Sequence, residues 1–117
     1  MRAIYLAALI LLAVSENAAG SELMIFGVGN QSCGAWVEAH KGAPNLTSTV
    51  QQNWVFGYMA AFSSITLSLG APDASHVTDA DGMTQWMTNY CGAHPLDTIY
   101  KATDALSAQL VGRATKH

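Results

Sequence analysis

Residues 48–69 read STVQQNWVFGYMAAFSSITLSL, and the spacing within them decides the fold. Val50, Trp54, Tyr58, Ala61, Ile65 and Leu69 recur at three- and four-residue steps, the spacing of one helix face. Val55, Met59 and Phe62 widen that face, so a helix covered on more than one side is expected. Ser48 followed by Gln51 fits a capping box, in which each side chain accepts from the other's free backbone N–H. Gly70 and Pro72 supply the stop.

A second stripe of small residues, Gly57, Ala61, Ser64 and Ser68, runs along the same helix. Glycine inside a helix costs roughly 1 kcal/mol against alanine. A close helix crossing would offset that, either within the core or at a small-residue dimer face. A membrane span does not fit. Gln51, Gln52 and Asn53 open the helix, and Ser63, Ser64, Thr66 and Ser68 interrupt its second half, short of about 18 clean apolar residues.

On the N-terminal side, residues 1–20, MRAIYLAALILLAVSENAAG, have the layout of a secretory signal. Arg2 gives the positive start, Ile4 to Val14 the apolar run, and Ala18-x-Gly20 a small-residue cleavage site. Removing them leaves about 97 residues, the size of one small domain. That remainder holds four Lys and Arg (Lys41, Lys101, Arg113, Lys116) against seven acids, a net charge of −3. With no basic stripe, nucleic acid is not the expected partner. Charged residues make up 11% of the chain, against about 25% in ordinary domains. Such a surface is either a neutral polar one or a face meant to be covered by a partner.

Cys33 and Cys91 flank the long helix. Two cysteines in an exported chain are expected to pair as one disulfide. Closing a loop of about 60 residues is worth about 4 kcal/mol on the chain-entropy account, a large share for a small domain. No Cys-x-x-Cys spacing points to a redox or metal-binding thiol pair.

The remaining elements follow in order. Residues 21–31 are Gly-rich and are expected to form an irregular arm. A short helix starts near Ser32, with Cys33, Trp36, Val37 and His40 on one side, and Gly42, Pro44 and Asn45 end it. Asn30-Gln-Ser32 and Asn45-Leu-Thr47 fit glycosylation acceptors, which matter only in a eukaryotic secretory route. After the long helix comes the polar stretch 70–82. A third helix over 79–91 is capped by Thr78 or Asp79, with Asp81 suited to the positive end of its dipole. Its stripe is Met83, Trp86, Met87 and Tyr90, and Gly92 and Pro95 end it. The last helix, over 95–112, presents Leu96, Ile99, Tyr100, Thr103, Leu106 and Leu110 and stops at Gly112, leaving 113–117 frayed. The expectation is an all-α fold, a small four-helix bundle over 32–112 stapled by one disulfide.

Little in the chain points to chemistry. Asp79-Ala-Asp81-Gly82 resembles part of a calcium loop, but the alignment puts Val77 and Thr88 at ligand positions, so helix capping is the reading. His40, His76, His94 and His117 are scattered, none at i, i+4 from another His or Cys, so no metal or other cofactor is expected. No nucleophile stands in a motif with a base, and Glu38 and His40 at i, i+2 diverge on a helix. An enzyme is not expected.

Cys33 with Trp36 on a first short helix, Trp54-Val-Phe-Gly57-Tyr58 on a long one, Trp86-Met-Thr-Asn-Tyr90-Cys91, and His94-Pro95-Leu96 before a final amphipathic helix make up a pattern. It is similar to the small exported one-disulfide helical proteins grouped with HdeA-type acid-stress chaperones and type VI amidase immunity (Tai-like) proteins. The resemblance implies a bacterial periplasmic protein that binds other proteins, by occluding an amidase effector or by shielding unfolded clients in acid. The chaperones are lysine-rich, whereas this chain has few basic residues.

The function expected from the sequence is an exported, periplasmic or secreted, non-enzymatic protein that binds another protein or itself. Trp36, Trp54, Gly57, Tyr58 and Trp86 are its candidate binding and packing residues. A small-ligand carrier or enzyme accessory, with a pocket between Trp54, Tyr58 and Trp86, is the alternative from another class.

Overall fold

A computed structural model describes residues 23–116, so the expected signal sequence lies outside the described residues. Among these residues the chain is all-helical. A 3₁₀ turn, Gly27–Asn30, precedes α1 (Cys33–Ala39), α2 (Leu46–Ser68), α3 (Ala80–Ala93) and α4 (Ile99–Ala114). No helix among them is long and apolar enough to cross a membrane.

Each helix begins at a side-chain cap. Ser32 accepts from the Ala35 N–H, Asp79 from the Gly82 N–H at 2.8 Å, and Thr98 from the Lys101 N–H at 3.1 Å. α2 departs from expectation. Its capping box is Asn45 with Ser48: Asn45 Oδ1 accepts from the Ser48 N–H at 2.9 Å, and Ser48 Oγ accepts from the Asn45 N–H at 3.0 Å. The helix therefore starts earlier than the Ser48–Gln51 box predicts, and Gln51 is released to the core. At the other end Gly70, at φ +82°, closes a Schellman turn. The Ala71 N–H reaches the Thr66 carbonyl at 2.9 Å and the Gly70 N–H the Leu67 carbonyl at 3.0 Å.

Two other expected stops fail. Gly92 lies inside α3, which runs on to Ala93 with His94 as its C-cap, and Gly112 lies inside α4. Both glycines keep helical backbone. Proline cannot donate, and the residue before it avoids the helical region, so Pro95 forces the end of α3. Pro95, Leu96 and Asp97 form the turn before α4 rather than its first residues, and Leu96 is 96% exposed.

The core is built from the facing sides of all four helices. Cys33 and Trp36 from α1, Val55 and Met59 from α2, Met87 and Cys91 from α3, and Ile99, Ala102, Leu106 and Leu110 from α4 are buried together. Cys33 and Cys91 are joined, with Cα atoms 4.6 Å apart, tying the start of α1 to the end of α3. Backbone bonds reinforce that junction. The Cys33 N–H donates to the Asp97 carbonyl at 2.7 Å, the Gly34 N–H to Pro95 at 3.1 Å, and the Ile99 N–H to Gln31 at 2.9 Å. Trp36 fills the space beside the bridge, and its indole Nε1–H donates to Thr88 Oγ1 on α3 at 3.0 Å.

α2 faces the core with a different side from the one its spacing predicts. Ser48, Gln51, Val55 and Met59 are buried, whereas Val50, Ala61, Ile65 and Leu69 are exposed. Apolar residues are spread almost evenly around α2, so periodicity alone does not select the inward side. Contacts with the other elements select it.

Candidate functional site

The outward side of α2 sets the site. At 100° per residue, Leu46, Val50, Asn53, Gly57, Ala61, Ser64 and Ser68 lie opposite the buried Val55, and all seven are exposed. The small-residue stripe is thus a surface feature. A Cβ at Gly57 would meet nothing within 4 Å, so no helix among the described residues crosses there. All of α2 is uncharged. The helix presents solvent with a strip about 35 Å long, apolar at Leu46 and Val50 and made of small residues from Gly57 to Ser68.

One edge of the strip is an aromatic ladder. Trp54 and Tyr58, one turn apart, stack with ring centroids 5.7 Å apart, and Tyr58 meets the edge of Tyr100 from α4 at 6.0 Å. The Tyr58 hydroxyl points at Asp104 Oδ1, 3.4 Å away. Partial burial and the Asp104 carboxylate together push the Tyr58 phenol above its ordinary value, so it stays a neutral donor.

The arm before α1 forms the far wall. Trp54 Nε1–H donates to the Phe26 carbonyl at 2.9 Å, which fastens the arm to α2. Gly29 is buried against the indole, and a Cβ there would come within 2.6 Å of Trp54 Cη2. Only glycine lets the 3₁₀ turn lie this close. Between arm and helix opens a groove of about 440 Å³ lined by Met24, Ile25, Phe26, Trp54, Gly57 and Tyr58 with Asn53.

The structure thus brings Trp54, Gly57 and Tyr58 to one place and separates the other two candidates from them. Trp36 is wholly buried and stacks on His40 at 4.0 Å, a core role. Trp86 lies on α3 and stacks on Tyr90 at 5.2 Å, which in turn stacks on His94 at 4.2 Å. It is not part of the groove that Trp54 and Tyr58 line, so the expected three-residue pocket is replaced by one that uses the arm. The sequence carries one signal for the arm. Leu23, Met24, Ile25 and Phe26 are an apolar run immediately before two glycines that permit close approach.

Among the described residues the groove is lined by no carboxylate, imidazole or thiol, and its titratable side chain is the Tyr58 phenol. Among the described residues, no three His, Cys, Asp or Glu side chains gather where they could hold a metal ion. Compared with known proteins, the chain matches no family model, no curated protein and no solved structure.

Proposed function

We propose that this chain is an exported, non-enzymatic four-helix bundle, stapled by its bridge, that binds another protein through the outer strip of α2 and the neighbouring arm. One observation carries the reading. Of nine large apolar side chains strongly exposed among the described residues, eight lie on the arm or on α2 and its cap, and only Leu96 lies elsewhere. Concentrated exposure of this kind marks an interaction surface, where scattered exposure would not. The absence of charge on α2 fits a partner with an equally uncharged face, since any ionic partner group would be buried unpaired.

Export is supported by the bridge, which persists in oxidising compartments, and by the signal-like layout of residues 1–20. The resemblance to amidase-immunity and HdeA-type proteins adds two partner classes, a single amidase effector at neutral pH or many unfolded clients in acid.

The test is a pull-down from periplasmic extract with the oxidised, signal-free protein and its Ala61→Glu variant, at pH 7 and near pH 3. One stoichiometric partner at pH 7, lost with Ala61→Glu while the helical circular dichroism is kept, supports the reading. Many clients only near pH 3 support the chaperone class. Capture that is equal for both proteins removes α2 from the interaction.

A further inference from the structure

The flank of α2 opposite Trp54 and Tyr58 borders a second hollow, one that the protein-binding reading does not use. It lies where α2, the 70–79 segment, α3 and α4 meet, with a volume of about 280 Å³. Phe56 and Met59 from α2, Ala74 from the connecting segment, Met83 from α3 and Leu110 from α4 form its walls. Met59, Ala74 and Leu110 belong to the buried core while Ala60 and Ser75 at the rim are exposed, so the hollow is a half-open cleft that reaches down to core side chains. No lining residue is charged. The remaining polar lining is hydroxyl, from Ser63, Ser75 and Thr78, and the Ser75 hydroxyl is already committed to Asp73 Oδ1 at 2.6 Å.

Cores of small domains are packed with few voids larger than a water molecule. An apolar hollow of roughly 150 Å³ accepts a benzene-sized molecule and stays dry without one. By that scale, this hollow takes on the order of ten non-hydrogen atoms. Its two methionines suit an apolar occupant of adaptable shape, because unbranched thioethers re-pack easily. With no Lys, Arg or His among the described lining residues, a carboxylate would enter the cleft without a paired cation. The hydroxyls of Ser63 and Thr78 at the wall can receive or supply one hydrogen bond.

We propose that this cleft is a binding site for an uncharged, medium-sized apolar molecule carrying a single hydroxyl or carbonyl group. The occupant inserts its hydrocarbon part between Phe56, Met59, Met83 and Leu110 and leaves its polar end toward Ser63 or Thr78. The site lies on the opposite flank of α2 from the aromatic groove, so the proposal stands apart from the protein-binding reading.

The methionines provide the test. Met59 and Met83 line this cleft, Met24 lines the aromatic groove and Met87 is enclosed in the core. The oxidised protein, labelled with ¹³C at the methionine methyl groups, is titrated with 1-octanol and, separately, with octanoate. The expected result is that the Met59 and Met83 signals move with octanol while Met24 stays still. Octanoate, of the same length but charged, should bind at least tenfold more weakly. Ser63→Leu, which fills the cleft from a half-buried helix position, should weaken octanol at least tenfold. Movement of Met24 alone would place the binding in the other groove and overturn the proposal. No movement up to the solubility of octanol would overturn it too, as would equal binding of octanoate. The wild-type comparison of the two probes stands even if Ser63→Leu does not fold.

Discussion

Tyr90 donates its phenolic hydroxyl to the Asp97 carboxylate at 2.7 Å, joining the end of α3 to the turn that leads into α4. Lys101 reaches the other oxygen of Asp97 at 3.2 Å, and the Asp97 carbonyl receives the Cys33 N–H. One residue thereby connects the disulfide, the α3 terminus and the first turn of α4.

This arrangement predicts an acid sensitivity with a definite sign. The Tyr90 hydrogen bond, with help from Lys101, holds the Asp97 carboxyl below its ordinary value. A carboxylate lowered on folding stabilises the protein above its unfolded pKa, and that stabilisation is lost as pH falls through the lowered folded value. The loss should therefore fall below about pH 4. Urea unfolding from pH 7 to pH 2 should show Tyr90→Phe less stable at pH 7 and less steeply destabilised in acid than wild type. Parallel curves would remove Tyr90 from the effect.

Gln51 is fully buried. Its Nε2 donates to Gln31 Oε1 at 2.9 Å, and its own Oε1 has no partner among the described residues. Leaving a buried polar group unpaired costs about 1–3 kcal/mol, whereas an apolar replacement of similar shape is close to neutral. Gln51→Met should therefore be neutral or up to about 1 kcal/mol more stable. Gln31→Ala, which strands the rest of the amide, should cost about 1–2 kcal/mol in denaturant melts.

Two glycines should respond oppositely to the same change. Gly29→Ala drives a methyl into the Trp54 indole and should cost about 1–3 kcal/mol, as overpacking does, with a red-shifted tryptophan emission as the arm loosens. Gly57→Ala meets open space inside a helix and should stabilise the free protein by about 0.5–1 kcal/mol. Melts that rank them the other way round would contradict the packing described for the arm.

Replacing both Cys33 and Cys91 by serine should lower stability by about 4 kcal/mol, the loop-closure value for a link of this span. Intact-mass measurement with alkylation before and after reduction checks the pairing, and denaturant melts check the magnitude.

Helix number and type, the disulfide, and the Asp79 cap of α3 were legible because each rests on local residue chemistry. Asp79 needs only its own next turn to be satisfied, whereas α4, expected from Pro95, begins only at the Thr98 cap because 95–97 are taken up in the turn that pairs with α1. The start of α2 was harder, since Ser48 fits both as cap and as third residue, and only the Asn45 hydrogen bonds decide. The inward side of α2 was not legible. Val55 and Val50 are equally apolar, and the difference between core and solvent comes from α1, α4 and the arm, distant in sequence. The same reason explains the site. Trp54, Gly57 and Tyr58 share one helix and could be read together. Trp86, from another helix, has its neighbours set by tertiary packing.

The bridge from Cys33 to Cys91 encloses the whole 70–79 connection. A protease that cuts this connection yields two polypeptides, one carrying α1 and α2 and the other α3 and α4. They remain a single covalent molecule, clasped where α1 meets α3. Such a nicked form keeps its mass on a non-reducing gel and separates only under reductant. Wherever reductants are scarce, backbone cleavage at this place does not release either half.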